Sequence, residues 1–414
     1  MPEILLTSGW QTCNIGDIGH TPGTLAFWEK YIPEASLSVY LHNWNDAVMQ
    51  MLKDRFPTVT LIGAKSKQHC TPEGEFLDIR LDSAFGRANL VVQNSGMHYN
   101  GFYDVDPWLI RKCVQEGKPY GLYGQSFDGF TDIQMPDMLK MLSEAAFISC
   151  RDMRSVEYLH SLDLQPGWLG FGPDGCFGID VRDDERGEQW LKRLTLDRGE
   201  YLALVLRSNT TSSDPSCANA LNPLHISESN RLENERWASQ LINVIRGWIE
   251  RTGKPVILAP EVDKEIPAAH SLIWNQLPSS LRPYVREVQS FWNVDEAASV
   301  YAMASAVVSM EPHSCIIALA NGVPAIHFYS PKHGVKAQMF ADIGLSEWLY
   351  DINNTSSEVV IRELMRIESD RRAAVNRVNT AMQSVHSYSR SVAEVIRHQL
   401  GLSTPISSSA EVLT

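Results

Sequence analysis

Short, nearly unbroken apolar runs recur along the chain, each followed by turn residues or by a stretch with helical spacing. Runs at 3–8 (EILLTS), 36–41 (SLSVYL), 58–63 (TVTLIG), 88–93 (ANLVVQ), 119–124 (PYGLYG) and 146–150 (AFISC) form a first series. A second opens at 200–208 (EYLALVLRS) and continues at 255–261 (PVILAPE), 284–290 (YVREVQS), 306–310 (AVVSM) and 324–329 (PAIHFY). Strands apolar on both faces belong to parallel sheets covered by helices, and their alternation with helical segments is the βαβ rhythm. Between two of them, Leu241, Ile242, Ile245, Trp248 and Ile249 fall on one helical face, with Gly253 as a stop. The fold class expected is α/β, with two Rossmann-like doubly wound domains facing a cleft.

The polar stretches set the boundaries. Residues 178–199 are charged and lack sustained apolar periodicity, which places the domain border there, with domains over 1–185 and 195–365. Residues 208–235 are too long and polar for an ordinary connection after a strand and form either a functional loop or a solvated insertion. The segment 366–400 reads as helical, after which 401–414 has the composition of a disordered tail.

Charge then narrows the function classes. With 49 acidic against 36 basic residues the net charge is -13, so there is no basic excess to neutralise nucleic-acid or anionic-membrane phosphates. The opening residues lack a secretory leader's basic and apolar regions, and no run approaches the roughly 18 apolar residues of a membrane helix. A cytoplasmic protein without an integral membrane segment or nucleic-acid partner is expected; a homodimer is allowed. Seven cysteines are scattered without a C-x-x-C pair, so no disulfide framework or structural zinc site is indicated. No metal cluster is visible, and neither a required metal nor a cofactor is expected.

In open parallel sheets the ligand lies beyond the carboxyl ends of the strands, so residues just after each strand outweigh the rest. After the first run come Asn14, Gly16, Asp17 and Gly19, a polar loop leading into a helix expected from about Thr21. The spacing is not G-x-G-x-x-G, so a dinucleotide fingerprint is absent. His98 follows the fourth run and Arg151 the sixth, while a Gly-rich turn surrounds Asp174 at 170–178. In the second half Arg207 follows LALVL at a position suited to an anion clamp, and Glu261 ends VILAPE. Pro312 fits a first helical turn, which sets His313 and Ser314 where free amides and the helix dipole face the cleft. Farther on, Lys332, His333 and Lys336 make a local cationic cluster suited to phosphate or carboxylate.

The NIGD stretch at 14–17, taken with SMEPHSCIIALANGVPAIHFYSPKH at 309–333, resembles the polysaccharide pyruvyl transferase family. ANLVVQNSGMHYNG, KPYGLYGQSF, AAFISCRDMRSVEYLHSLDL and GPDGCF look like further family segments, extending the resemblance over about 10–345. It implies a GT-B-like pair of domains, acceptor side first and donor side second, with the last helices packing back on the first domain. It also implies transfer of a pyruvyl group from phosphoenolpyruvate, as donor substrate, to sugar hydroxyls of a surface polysaccharide or its precursor. By the same resemblance His313 would transfer a proton or bind the phosphate, Arg207 and Lys332 would hold the donor, and Asn14 and Asp17 would face the carbohydrate acceptor. Position after a strand or at a helix start adds Glu311, with Asp17, to the catalytic candidates, Ser314, His333 and Lys336 to the donor side, and Gly16, His98 and Arg151 to the acceptor side.

One position departs from the family. Two residues before the histidine an arginine is usual, and here the residue is Glu311. Either Arg207, Lys332, Lys336 or Arg151 takes over its charge, or the chain has left phosphoenolpyruvate chemistry. The alternatives are a GT-B-like glycosyltransferase using a sugar nucleotide, and an inactive sugar-binding homologue.

Overall fold

The computed structural model describes residues 1–403 except 72–73, 101–102, 105–106, 133 and 210–227. Its first sheet contains β1 (Glu3–Ser8), β2 (Ser36–Leu41), β3 (Thr60–Gly63) and β4 (Leu90–Gln93). A separate small hairpin of β5 (Tyr99–Asn100) and β6 (Tyr103–Asp104) follows, after which β7 (Tyr120–Gln125), β8 (Phe147–Cys150) and β9 (Leu169–Phe171) complete the sheet. The second sheet contains β10 (Leu202–Val205), β11 (Val256–Leu258), β12 (Val285–Glu287), β13 (Ala306–Ser309), β14 (Ala325–Tyr329) and β15 (Leu349–Asp351). Their orders are β3-β2-β1-β4-β7-β8-β9 and β12-β11-β10-β13-β14-β15. All neighbours in both sheets run parallel.

Burial explains why the strands read as apolar runs. Helices cover both faces, so β4, β8, β10 and β13 are buried along their whole length. Strand order reverses between β1 and β4 in one sheet and between β10 and β13 in the other. At such a switch point the connections leave in opposite directions and open a crevice. The segments that enter it are 9–14 and 94–98 from the first domain and 206–209 and 310–311 from the second.

Several boundaries differ from the sequence expectation. The first helix spans Ile15–Tyr31, starting at the NIGD stretch, because the Asn14 side chain caps it by accepting from the Gly16 amide at 2.8 Å. Pro22 therefore lies inside the helix. The charged border contains the helix Asp184–Leu194, whose Trp190, Leu191 and Leu194 are buried although the surrounding residues are charged. The helix expected over 241–253 begins at Glu228 and runs to Thr252. Strands β9 and β15 and the hairpin were not anticipated; at two or three residues they carry too little pattern to separate from turns. Most of the 208–235 segment, and the tail from 404, lie outside the described residues.

The last two helices, Ser357–Ser369 and Arg371–Gln399, return the chain to the first domain. There Arg397 pairs with Glu34 at 2.7 Å, and Tyr388 meets Phe171 edge to face at 4.8 Å. No helix among the described residues is long and apolar enough to cross a membrane.

Candidate active site

The two domains meet where the first helix begins. The Ile15 amide donates to the Glu261 carbonyl at 2.9 Å, the Asp263 amide to the Cys13 carbonyl at 3.0 Å, and Asn14 forms a single antiparallel bridge with Val262. Gly16 is required at this seam. A Cβ on it would lie 2.3 Å from Nδ1 of His313, so the second domain's imidazole occupies the space a side chain would need. Gly16→Ala is expected to lower the unfolding free energy by about 2 kcal/mol, the usual scale of overpacking. A urea midpoint equal to the wild type would mean the seam is not closed in solution.

His313 belongs to the helix Pro312–Ala320, which is buried from Pro312 to Leu319. Its amino end is capped from another strand. The Ser314 amide and hydroxyl donate to Glu261 Oε2 at 2.6 and 2.7 Å, and Glu261 Oε1 lies 3.1 Å from His313 Nδ1. A carboxylate at a helix amino terminus satisfies free amides and interacts favourably with the dipole. The expectation that Ser314 presents its groups to a donor is therefore corrected: both are bonded to Glu261.

On its other edge His313 Nε2 lies 3.8 Å from Asp174 Oδ2, which is also 3.3 Å from His20 Nε2 and 2.6 Å from Arg151 Nη1. Arg151 is itself fixed by Ser126 Oγ at 2.8 Å. Burial lowers the pKa of both histidines. For His20 it wins over Asp174, but for His313 the nearby carboxylates of Asp174 and Glu261 outweigh it and raise the imidazole to about 9. Burial also opposes the charge on Asp174, yet His20 and Arg151 more than compensate and hold its pKa well below the usual carboxylate range. The Cys176 thiol donates to the Gly16 carbonyl at 3.3 Å, closing a buried group of His20, Asp174, Cys176 and His313.

The cluster was not visible in the sequence, because its members come from three separate segments. One signal was available: Gly16 and His20 are four apart and share a face of the first helix.

A second group lies past β10 and β13. Arg207 Nη1 and Glu311 Oε2 are 2.7 Å apart, so the carboxylate at the departing position is ion-paired. Half-buried Lys336 shares this field. Desolvation and then Arg207 lower its pKa to about 8, with Arg151 adding to the fall and Glu311 and Asp17 opposing it. Burial resists ionisation of Glu311, but Arg207, Lys336 and His313 reverse the effect and its pKa ends below the ordinary value.

The other expected site residues are placed as follows. Asp17 lies in the first turn of the first helix, its side chain 17% exposed. Asn14 uses its side chain as the helix cap. His98 packs on Trp10 with ring centroids 3.9 Å apart, and Gln125 Nε2 approaches its Nδ1 at 3.5 Å. Arg151 supports Asp174 inside the seam. Lys332 points outward, 58% exposed and paired with Glu233 at 2.8 Å, while His333 packs edge to face on Trp237. The structure thus unites Arg207, Glu311 and Lys336 with Asp17 nearby and sets Lys332 apart.

This architecture is the GT-B-like fold. Among solved structures the chain is similar to the S. aureus MnaA–UDP complex, at 11% identity over 98% of each chain with a TM-score of 0.60. It is also similar to a glycosyltransferase from Rickettsia africae, at 11% identity over 97% of this chain and 99% of that one with a TM-score of 0.59. A putative UDP-N-acetylglucosamine 2-epimerase from Listeria monocytogenes matches at 11% identity over 97% and 98%, with a TM-score of 0.57. No curated protein matches in sequence. The polysaccharide pyruvyl transferase model matches residues 43–332, and the chain belongs to that family.

Proposed function

We propose that the protein transfers a pyruvyl group from phosphoenolpyruvate to two hydroxyls of a sugar in a surface polysaccharide or its precursor. Support comes from the convergence of Arg207 and Lys336 beyond the carboxyl ends of the second sheet, a half-buried pair of cations in an otherwise acidic chain. The donor's phosphate and carboxylate compete with Glu311 for Arg207, exchanging one anion for another. Lys336 protonates the enol methylene, which becomes the methyl of the ketal, as one sugar oxygen bonds to the adjacent carbon. The second hydroxyl then displaces phosphate from that carbon. Asp17, and Glu311 once released from Arg207, accept the hydroxyl protons. His313 faces carboxylates on both ring nitrogens and acts by holding the helix and the seam, not by touching substrate.

Thermal-shift titration with phosphoenolpyruvate and a panel of sugar nucleotides tests the donor, because selective binding to the native state raises the melting temperature. A shift with phosphoenolpyruvate, followed by acceptor-dependent phosphate release, is the expected result. A shift with one nucleotide alone would favour glycosyl transfer, a reading helped by Glu311 already occupying Arg207. No shift with any donor and no turnover would point to a sugar-binding protein.

The pocket also sets a pH window. Lys336 carries its proton below pH 8 and loses it above, its pKa being about 8. Phosphate gains its second charge at about pH 6. Phosphoenolpyruvate affinity should therefore be greatest between about pH 6 and 8 and decline above, with a limiting slope of one log unit per pH unit. Lys336→Met should weaken binding and flatten the alkaline limb; an unchanged limb would remove Lys336 from the donor pocket.

A further inference from the structure

The buried cluster at the seam has a feature the proposed transfer does not use. Both ring nitrogens of His20 and Nε2 of His313 are buried without a hydrogen-bond partner. Orphan groups of this kind are costly, and the two Nε2 atoms, which approach the same carboxylate, call for a common partner. His20 Nε2 and His313 Nε2 both lie close to Asp174 Oδ2, and one ligand atom from each of His20, Asp174, Cys176 and His313 falls within 4.8 Å of all the others.

We infer that His20, Asp174, Cys176 and His313 form a site for one divalent transition metal ion, of which zinc is the best chemical match. Two imidazole nitrogens, a carboxylate oxygen and a thiolate suit a tetrahedral borderline-soft ion, whereas magnesium and calcium take oxygen donors. The thiolate and the carboxylate balance the ion's two charges in a buried place.

The surroundings match a metal site as well as the donors do. A metal-bound histidine ordinarily gives its second ring nitrogen to a carboxylate or carbonyl, which fixes its tautomer and orientation. Here Glu261 lies 3.1 Å from His313 Nδ1 and Asp17 lies 3.9 Å from His20 Nδ1. Asp174 is braced in turn by Arg151 at 2.6 Å. Zinc bonds of 2.0–2.3 Å put tetrahedral donors roughly 3.5 Å apart, so the widest edge contracts by about 1 Å on binding. Three donors belong to the first domain and His313 to the second, so the ion ties the domains together and does not depend on which donor substrate the protein uses.

Cobalt(II) tests the site because its spectrum reports both geometry and a sulfur donor. The full chain, stripped with a chelator and titrated with cobalt, should take up one equivalent. Visible bands of a tetrahedral ion and a near-ultraviolet thiolate-to-cobalt band should appear, with zinc displacing the cobalt. Cys176→Ser should lose the near-ultraviolet band, and His20→Ala should weaken uptake by at least 100-fold, both with wild-type far-ultraviolet circular dichroism. If His20→Ala does not fold, the near-isosteric Cys176→Ser still decides the matter. Failure of stoichiometric uptake, an octahedral spectrum, or a thiolate band that survives Cys176→Ser would overturn the site. Turnover is not read in this experiment. Cobalt uptake without any phosphate release from phosphoenolpyruvate would leave the metal site standing and remove pyruvyl transfer; phosphate release from a protein that takes up no metal would do the reverse.

Discussion

Replacing Glu311 by glutamine is expected to raise affinity for phosphoenolpyruvate while lowering its turnover. In the resting protein the Glu311 carboxylate lies 2.7 Å from Arg207 and occupies the cation that the donor requires. Hydrogen bonds to charged groups contribute about 1.5–3 kcal/mol, so removing the competitor should tighten donor binding by about 10- to 100-fold. The same change removes one base for the sugar hydroxyls, and kcat should drop. The reverse exchange, Arg207→Gln, strands Glu311 and should lose donor binding and stability together, since breaking a buried pair costs about 3–5 kcal/mol. Isothermal titration and phosphate-release kinetics on both variants separate these effects. If Glu311→Gln binds phosphoenolpyruvate no better than the wild type, Arg207 is not the donor's anchor.

His313→Ala should be the most damaging single change at the seam. The imidazole stands between the buried carboxylates of Glu261 and Asp174, both of which raise its pKa towards about 9 against the effect of burial. Without it the carboxylates face each other across a void and the amino end of the helix Pro312–Ala320 loses its neighbour. A loss of about 3–5 kcal/mol is expected for a broken buried ion pair. Turnover should fall at least 100-fold, because Glu311 immediately precedes this helix. Denaturation by urea, with phosphate release measured below the transition, checks both. Wild-type stability with full turnover would remove His313 from the site.

The sheets were legible because residues such as Leu90 to Val92 and Leu202 to Val205 are buried on both faces, leaving continuous apolar runs. What escaped was short or tertiary in origin. β9 and β15 have three residues each. The helix Asp184–Leu194 buries Trp190, Leu191 and Leu194 against the rest of the fold while its charges remain outside, so composition concealed it. At the site, Arg207, Glu311 and His313 could be located because each directly follows a strand or opens a helix. His20 could not, since only folding brings it to Asp174, and Cys176, although two residues from Asp174, meets His20 and His313 only in the folded seam. Ser314 and Lys332 looked available as anion ligands because their partners, Glu261 and Glu233, come from distant parts of the chain.

The two passages of the chain between the domains have a mechanical consequence. One lies between Asp180, paired with Arg55 of the first domain at 2.6 Å, and Asp183, whose amide bonds to the Asp295 carbonyl of the second at 3.2 Å; the other runs past Arg371, which donates to the Ala304 carbonyl at 3.2 Å. The two crossings therefore lie at opposite ends of one helix, Val294–Ala302. A rotation about the line joining them would part the domains only after the bonds at Ile15 and Asp263 had opened and His313 had left the space beside Gly16, so the seam acts as the latch of a jaw and the connections as its pin.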